Sequence, residues 1–259
     1  MNLLQAEALH VSLGGRPIVR GIDLALRAGE VLGLIGANGS GKSTLLRALS
    51  AHWACESGRV LLLNRPLSAW APRDRARRLA YLPQRRELFA PLTVSQVVGL
   101  GRTPYVGPWS SPTAEDRAAI ERAMELTGIA HLRDAVATEI SGGEQLRVLL
   151  ARVLCTEAPV LIADEPTAGL DPQFQIQLIR ILRQRAGEGA GILVTLHDLT
   201  LASRSCDRLL LLHGGERVAE GLPRNVLSPA NLARAYGIEA RSFTADGFDV
   251  VIPWTEVKG

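Results

Sequence analysis

The chain has 259 residues, 47% hydrophobic and 21% charged, the composition of a globular protein with room for a sizeable core. Its 29 Lys and Arg stand against 26 Asp and Glu, a net charge of +3, and the basic residues are scattered among acidic ones; with an aromatic share of 4%, this excludes nucleic acid as the default partner. No stretch reaches the roughly 18 consecutive apolar residues of a membrane span.

The first thirty or so residues alternate like strands around a Gly14-Gly15 turn, and MNLLQAEALHVSL lacks the basic start of a secretory signal. EVLGLIGANGSGKSTLLRALS (Glu30–Ser50) joins an apolar run, a glycine-rich turn and a helical period, which predicts strand, loop and helix in that order. From about Phe89 to Leu154 the pattern is mainly helical. Within it, TAEDRAAIERAMELTG has Thr113 as N-cap, Asp116 in the first turn, Ile120, Met124 and Thr127 on one side, and Gly128 as the stop. VLIADEP (Val160–Pro166) and GILVTLHD (Gly191–Asp198) are continuous apolar runs, as expected of parallel strands covered on both faces. A hairpin is expected at Gly214-Gly215, and RSFTADGFDVVIPWTEVKG reads as a short β-ended tail over residues 241–259. Cys55, Cys155 and Cys206 are far apart and lack zinc spacing, so they read as reduced thiols.

Chemistry begins at GANGSGKST, which fits G-x-x-x-x-G-K-[ST] between a strand and a helix. Gly36, Ala37, Asn38, Gly39, Ser40, Gly41, Lys42, Ser43 and Thr44 form a loop whose N–H groups turn inward toward phosphate oxygens, aided by the positive end of the helix. Lys42 is expected to reach the β- and γ-phosphates of ATP, and Ser43 to offer its hydroxyl to Mg²⁺. VLIADEP delivers two adjacent carboxylates to a strand end. Asp164 is the candidate for holding Mg²⁺, directly or through water, and Glu165, on the strand's other side, for addressing an attacking water. Together these parts define a P-loop nucleotide hydrolase.

The second glycine turn, EISGGEQLR, narrows the class. ISGGE resembles the signature of ATP-binding cassette (ABC) proteins, usually written LSGGQ. YLPQ, ADEPTAGLD and TLHD follow the same family's pattern in their order along the chain, so the resemblance covers residues 1 to about 240. It implies a RecA-like P-loop NTPase core with an N-terminal antiparallel β-subdomain and an inserted α-helical subdomain at roughly 89–154. It also implies that Gln84 is the Q-loop glutamine, near the γ-phosphate and Mg²⁺, that Asp171 belongs to the D-loop, and that His197 is the switch histidine. Ser141, Gly142, Gly143 and Glu144 then cover the γ-phosphate of an ATP held by a second copy, in a head-to-tail homodimer that closes on ATP and reopens after hydrolysis.

The partners so implied are integral-membrane permease subunits and, through them, a substrate-binding protein, with the chain peripheral on the cytoplasmic face of the inner membrane. RRELFAPLTVSQVVGLGRTPY, directly after Gln84, suggests a docking surface. LTVSQVVGLGRTPY and LHDLTLASRSCDRLLLL resemble ATPases of importers for siderophores, haem and cobalamin, and the expectation is a ferric siderophore, with haem or cobalamin as the alternative. Three departures stand out: Leu13 where an aromatic residue stacks on adenine, predicting weaker adenine selectivity; Ile140 for leucine; and Leu146 where glutamine is common. The rival classes are a cassette ATPase of DNA or ribosomes, opposed by the absence of a coiled-coil split or tandem cassette, and a P-loop kinase, which needs no signature.

Overall fold

The structure is a computed structural model and describes residues 1–84, 88, 90–107, 110–245 and 247–257. In chain order the strands are β1 (Asn2–Leu13), β2 (Arg16–Arg27), β3 (Val31–Gly36), β4 (Ser57–Leu62), β5 (Arg65–Pro66), β6 (Leu79–Leu82), β7 (Val160–Ala163), β8 (Gly191–Thr195), β9 (Arg208–His213), β10 (Glu216–Gly221), β11 (Ile238–Ala245) and β12 (Phe248–Glu256). The helices are α1 (Lys42–Leu49), α2 (Pro72–Ala76), α3 (Val94–Gly99), α4 (Ala114–Leu126), α5 (Gly142–Cys155), α6 (Pro172–Gly187), α7 (Leu199–Ser205), α8 (Pro223–Val226) and α9 (Pro229–Tyr236).

The six-stranded sheet runs β10-β9-β3-β8-β7-β6, all neighbours parallel except the β9-β10 hairpin. Its central strands β3, β7 and β8 are buried at every position because both faces are covered. Leu32, Leu34, Ile162 and Leu193 enter a core shared with α1 and the N-terminal strands, whereas Val31, Ile35, Leu161 and Val194 enter the core under α5 and α6. The period-2 alternation of side chains across a strand divides one apolar run between two cores. The second sheet, β2-β1-β4-β5, is antiparallel.

Helices α3, α4 and α5 pack against one another beside the parallel sheet. α4 starts at Thr113, whose hydroxyl and backbone form a reciprocal capping box with Asp116, and Met124 and Thr127 are fully buried. Asp116 does more than cap: its carboxylate also accepts from buried Arg102 at 2.8 Å, a pair invisible in the helical period. In the segment after Gln84, residues 85–87 and 89 (Arg85, Arg86, Glu87, Phe89) lie outside the described residues. Further along it, Val94, Val97 and Val98 are core residues and Leu100 is exposed. The chain ends in the β11-β12 hairpin, tied to α7 by Thr200, whose hydroxyl both donates to Val251 O and accepts from Val251 N, each at 3.0 Å. No helix among the described residues is long and apolar enough to cross a membrane.

Candidate active site

Three neighbouring parallel strands deliver the candidate residues from their C-terminal ends, where ligands of open α/β sheets collect. β3 runs into the glycine loop, β7 into Asp164-Glu165 and β8 into Thr195 and His197. The loop is possible because of its glycines. A Cβ at Gly36 would lie 2.4 Å from Leu212 O and 2.7 Å from Ser40 Oγ, and Gly41 caps α1 with φ +99°.

Lys42 is buried, its Nζ donating to Gly36 O at 2.7 Å and Ala37 O at 3.0 Å. Burial pulls its pKa below the ordinary lysine value, and the negative charges of Glu165 and Asp164 push the other way. An ammonium held by two carbonyls at the first residue of a helix, whose positive end it joins, suits an anion. Asn38, Gly39, Gly41, Lys42, Ser43 and Thr44 line a cleft of about 320 Å³ together with Gln84 and Glu165. Gly36, Ala37 and buried Ser40 shape the loop from behind. Leu13 and Ile18 form the cleft's aliphatic wall, and among the described lining residues there is no aromatic ring.

Glu165 is the hub. Gln84 Nε2 donates to its Oε2 at 2.7 Å, and His197 Nε2 lies 2.5 Å from its Oε1. Its backbone sits in the left-handed region, φ +48°, an uncommon conformation for a residue with a side chain. Thr195, fully buried, holds that turn in place: its hydroxyl accepts from Glu165 N at 2.6 Å and donates to Asp164 Oδ1 at 2.9 Å. One threonine thus orients both carboxylates. Sequence reasoning passed over Thr195, although its place two residues before His197, at the end of an apolar strand, was a signal.

The donors fit Mg²⁺ as well as a nucleotide. Ser43, Gln84 and Asp164 are hard oxygen donors, and among the described residues no cluster of three His, Cys, Asp or Glu competes for a softer metal.

The signature residues stand elsewhere. Ser141 caps α5, with Glu144 Oε2 accepting from Ser141 N at 2.9 Å and from its hydroxyl at 2.6 Å. Those hydrogen bonds hold the Glu144 carboxyl below its usual range. Ser141, Gly142 and Gly143 are exposed, and a Cβ on either glycine would meet open space. Asp171 caps α6 through Phe174 N at 2.9 Å and pairs with Arg147 of α5 at 3.6 Å. Neither Asp171 nor residues 141–144 line the 320 Å³ cleft.

The profile of the ABC transporter family matches residues 19–168. The chain belongs to that family. It is an ABC transporter ATP-binding subunit, an ATPase that works with a permease. The hemin import ATP-binding protein HmuV of Streptomyces coelicolor is 43% identical over 253 residues, covering 97% of this chain and 90% of that protein. HmuV of Bordetella avium (strain 197N) is 45% identical over 245 residues, 92% of this chain and 93% of the other. Among solved structures, the ATP-binding subunit of an ABC transporter superposes with a TM-score of 0.78 at 26% identity, over 86% of this chain and 91% of that one. A nucleotide-free ATP-binding cassette does so at 0.81 and 25%, over 91% and 99%. The ABC ATPase fold, with its antiparallel N-terminal sheet and helical subdomain, is therefore the one the sequence led us to expect.

Proposed function

We propose that this ABC ATPase energises the import of haem. The observation that carries the cargo is the similarity to hemin import ATPases at 43–45% identity across more than nine-tenths of this chain. It favours haem over the ferric siderophore that the sequence pattern alone suggested. In this reading the chain is peripheral on the cytoplasmic face of the membrane, bound to permease subunits that receive cargo from a substrate-binding protein.

ATP enters the cleft with its triphosphate along the N–H groups of 39–44, and Lys42 turns from its two carbonyls to the β- and γ-phosphates. Adenine rests on Leu13 and Ile18. Ser43, with Gln84 and Asp164 directly or through water, would hold Mg²⁺, which would supply neutralisation of charge on the phosphate oxygens. Glu165 then takes a proton from the water whose oxygen attacks the γ-phosphorus as the bond to ADP breaks, with His197 steadying that water and the phosphoryl group. In the structure Gln84 and His197 each engage one oxygen of Glu165, and a carboxylate oxygen can accept more than one hydrogen bond.

The open face of the γ-phosphate is covered by Ser141, Gly142, Gly143 and Glu144 of a second copy, in a head-to-tail homodimer with Asp171 at its seam. What supports this is the exposed, unobstructed glycine turn lying away from its own cleft. Loss of the γ-phosphate removes the bridge, and the dimer reopens.

Reconstitution with the cognate permease and binding protein tests the cargo. ATP-dependent uptake of haem, abolished by Lys42→Ala, is the expected result. Uptake of a ferric siderophore or cobalamin with none of haem sinks the assignment.

A further inference from the structure

Helix α9 reaches the phosphate loop from outside the nucleotide cleft. It is capped by Ser228, buries Leu232 and Ala235, and ends at Tyr236, after which Gly237 turns the chain with φ +68°. His213, the last residue of β9, has its Nδ1 3.1 Å from Ala235 O. The turn that follows touches the loop itself, Gly215 N donating to Ser40 O at 3.1 Å. β9 also pairs with β3 as far as Gly36, which stands opposite Leu212. Helix, strand and loop are thus joined at the loop's first residue.

Two buried hydroxyls border that residue, Ser40 Oγ and Tyr236 Oη, and among the described residues neither meets a hydrogen-bond partner of good geometry. A Cβ on Gly36 would come 2.7 Å from Ser40 Oγ. Tyr236 approaches from α9. Its oxygen is sealed from water, burial pushes the phenol up to about 12, and the nearby Gly36 backbone pulls the other way. A buried hydroxyl without a partner costs stability, and a phenylalanine ring would fill the same space without that cost. Packing alone therefore does not account for the tyrosine.

We infer that Tyr236 is a positioning residue of the ATPase, its hydroxyl holding the Gly36 peptide while nucleotide is bound. In the structure Lys42 Nζ donates to Gly36 O and Ala37 O and so pins the start of the loop. When Lys42 turns to the phosphates, those carbonyls lose an ammonium donor, and the loop's first peptide depends on its remaining neighbours. A phenol can accept from a backbone N–H and donate to a carbonyl, and Tyr236 Oη is the side-chain group that α9 brings there. A contact that strengthens in the loaded state raises nucleotide affinity, whereas one equal in both states does not. The inference rests on the proposed turn of Lys42 and on no particular cargo.

The test compares the parent with Tyr236→Phe, Tyr236→Leu and Lys42→Ala. Without nucleotide, Tyr236→Phe should melt at the same or a higher temperature, because a buried hydroxyl without a partner has been removed. It should bind both ATP and ADP about fivefold more weakly in fluorescent-nucleotide titrations. Its KM for ATP should rise by a like factor with kcat within about twofold of the parent's, the signature of lost uniform binding. ADP is included because its β-phosphate also draws Lys42 and it needs no second copy. Tyr236→Leu, which loses the ring as well, should melt lower yet bind nucleotide within about twofold of Tyr236→Phe. Parental affinity for both nucleotides in Tyr236→Phe overturns the inference, and so does a joint fall in its melting temperature and kcat, which would make the hydroxyl a support of the fold. Parental nucleotide affinity in Lys42→Ala would sink the turn of Lys42 and the inference with it, whereas a binding defect confined to Lys42→Ala overturns the role of Tyr236 alone.

Discussion

At the residue scale, the most consequential side chain is one that contacts no phosphate in our reading. Thr195 bridges Glu165 N and Asp164 Oδ1 from a fully buried position. Thr195→Val keeps the shape and removes both hydrogen bonds, including the one that holds Glu165 N in its left-handed turn. Losing a buried partner costs about 1–3 kcal/mol; steady-state assays should show kcat falling roughly tenfold to a hundredfold with little change in KM, and Thr195→Ser should restore most of it. A kcat equal to the parent's would mean the carboxylates hold their places unaided. Leu13 makes a second prediction. With Leu13 and Ile18 as the adenine wall, ATP and GTP should bind within about tenfold of each other, and Leu13→Tyr should tighten ATP by about 1 kcal/mol, near fivefold, from added stacking. Competition binding with the two nucleotides checks both.

At the element scale, helix ends carry the chemistry. α5 begins at Ser141 in open space, so Ser141→Arg puts bulk and positive charge where a second copy's ATP would meet it. We expect ATPase activity to drop at least tenfold while monomer ATP binding, read by nucleotide fluorescence, stays within about twofold. Unchanged turnover would remove the turn from the site. The start of α4 sets acid stability. Hydrogen bonds from Thr113, then the Arg102 guanidinium, hold the Asp116 carboxyl below its usual value of 3.8. A depressed carboxylate stabilises the fold fully above its unfolded value and loses that contribution as pH falls through the folded one. Urea melts between pH 5 and 3 should therefore show stability falling below about pH 4, with a flatter dependence in Asp116→Asn.

At the scale of the whole molecule, the proposed head-to-tail dimer would give the cleft and the signature turn of one chain duties at two different nucleotides. Glu165→Gln should bind ATP, fail to turn it over and accumulate as a dimer that light scattering detects and that ADP does not support. A variant that still hydrolyses ATP at the parental rate would take Glu165 out of the reaction.

The strand, glycine loop and helix from Val31 to Leu49 were legible in the chain by itself, because a backbone that curls so tightly needs glycines at set spacings, and those spacings are local. So were the strand ends bearing Asp164 and His197, since apolar runs broken by polar residues mark where covered strands emerge. The α4 cap at Thr113 was equally local. What only the tertiary structure decided lies between segments distant in sequence: Thr195 reaching Asp164 across the β7-β8 pairing, Arg102 burying its charge against Asp116, and α9 bringing Tyr236 to Gly36. No periodicity encodes such meetings, because they depend on strand order and on how helices cross the sheet.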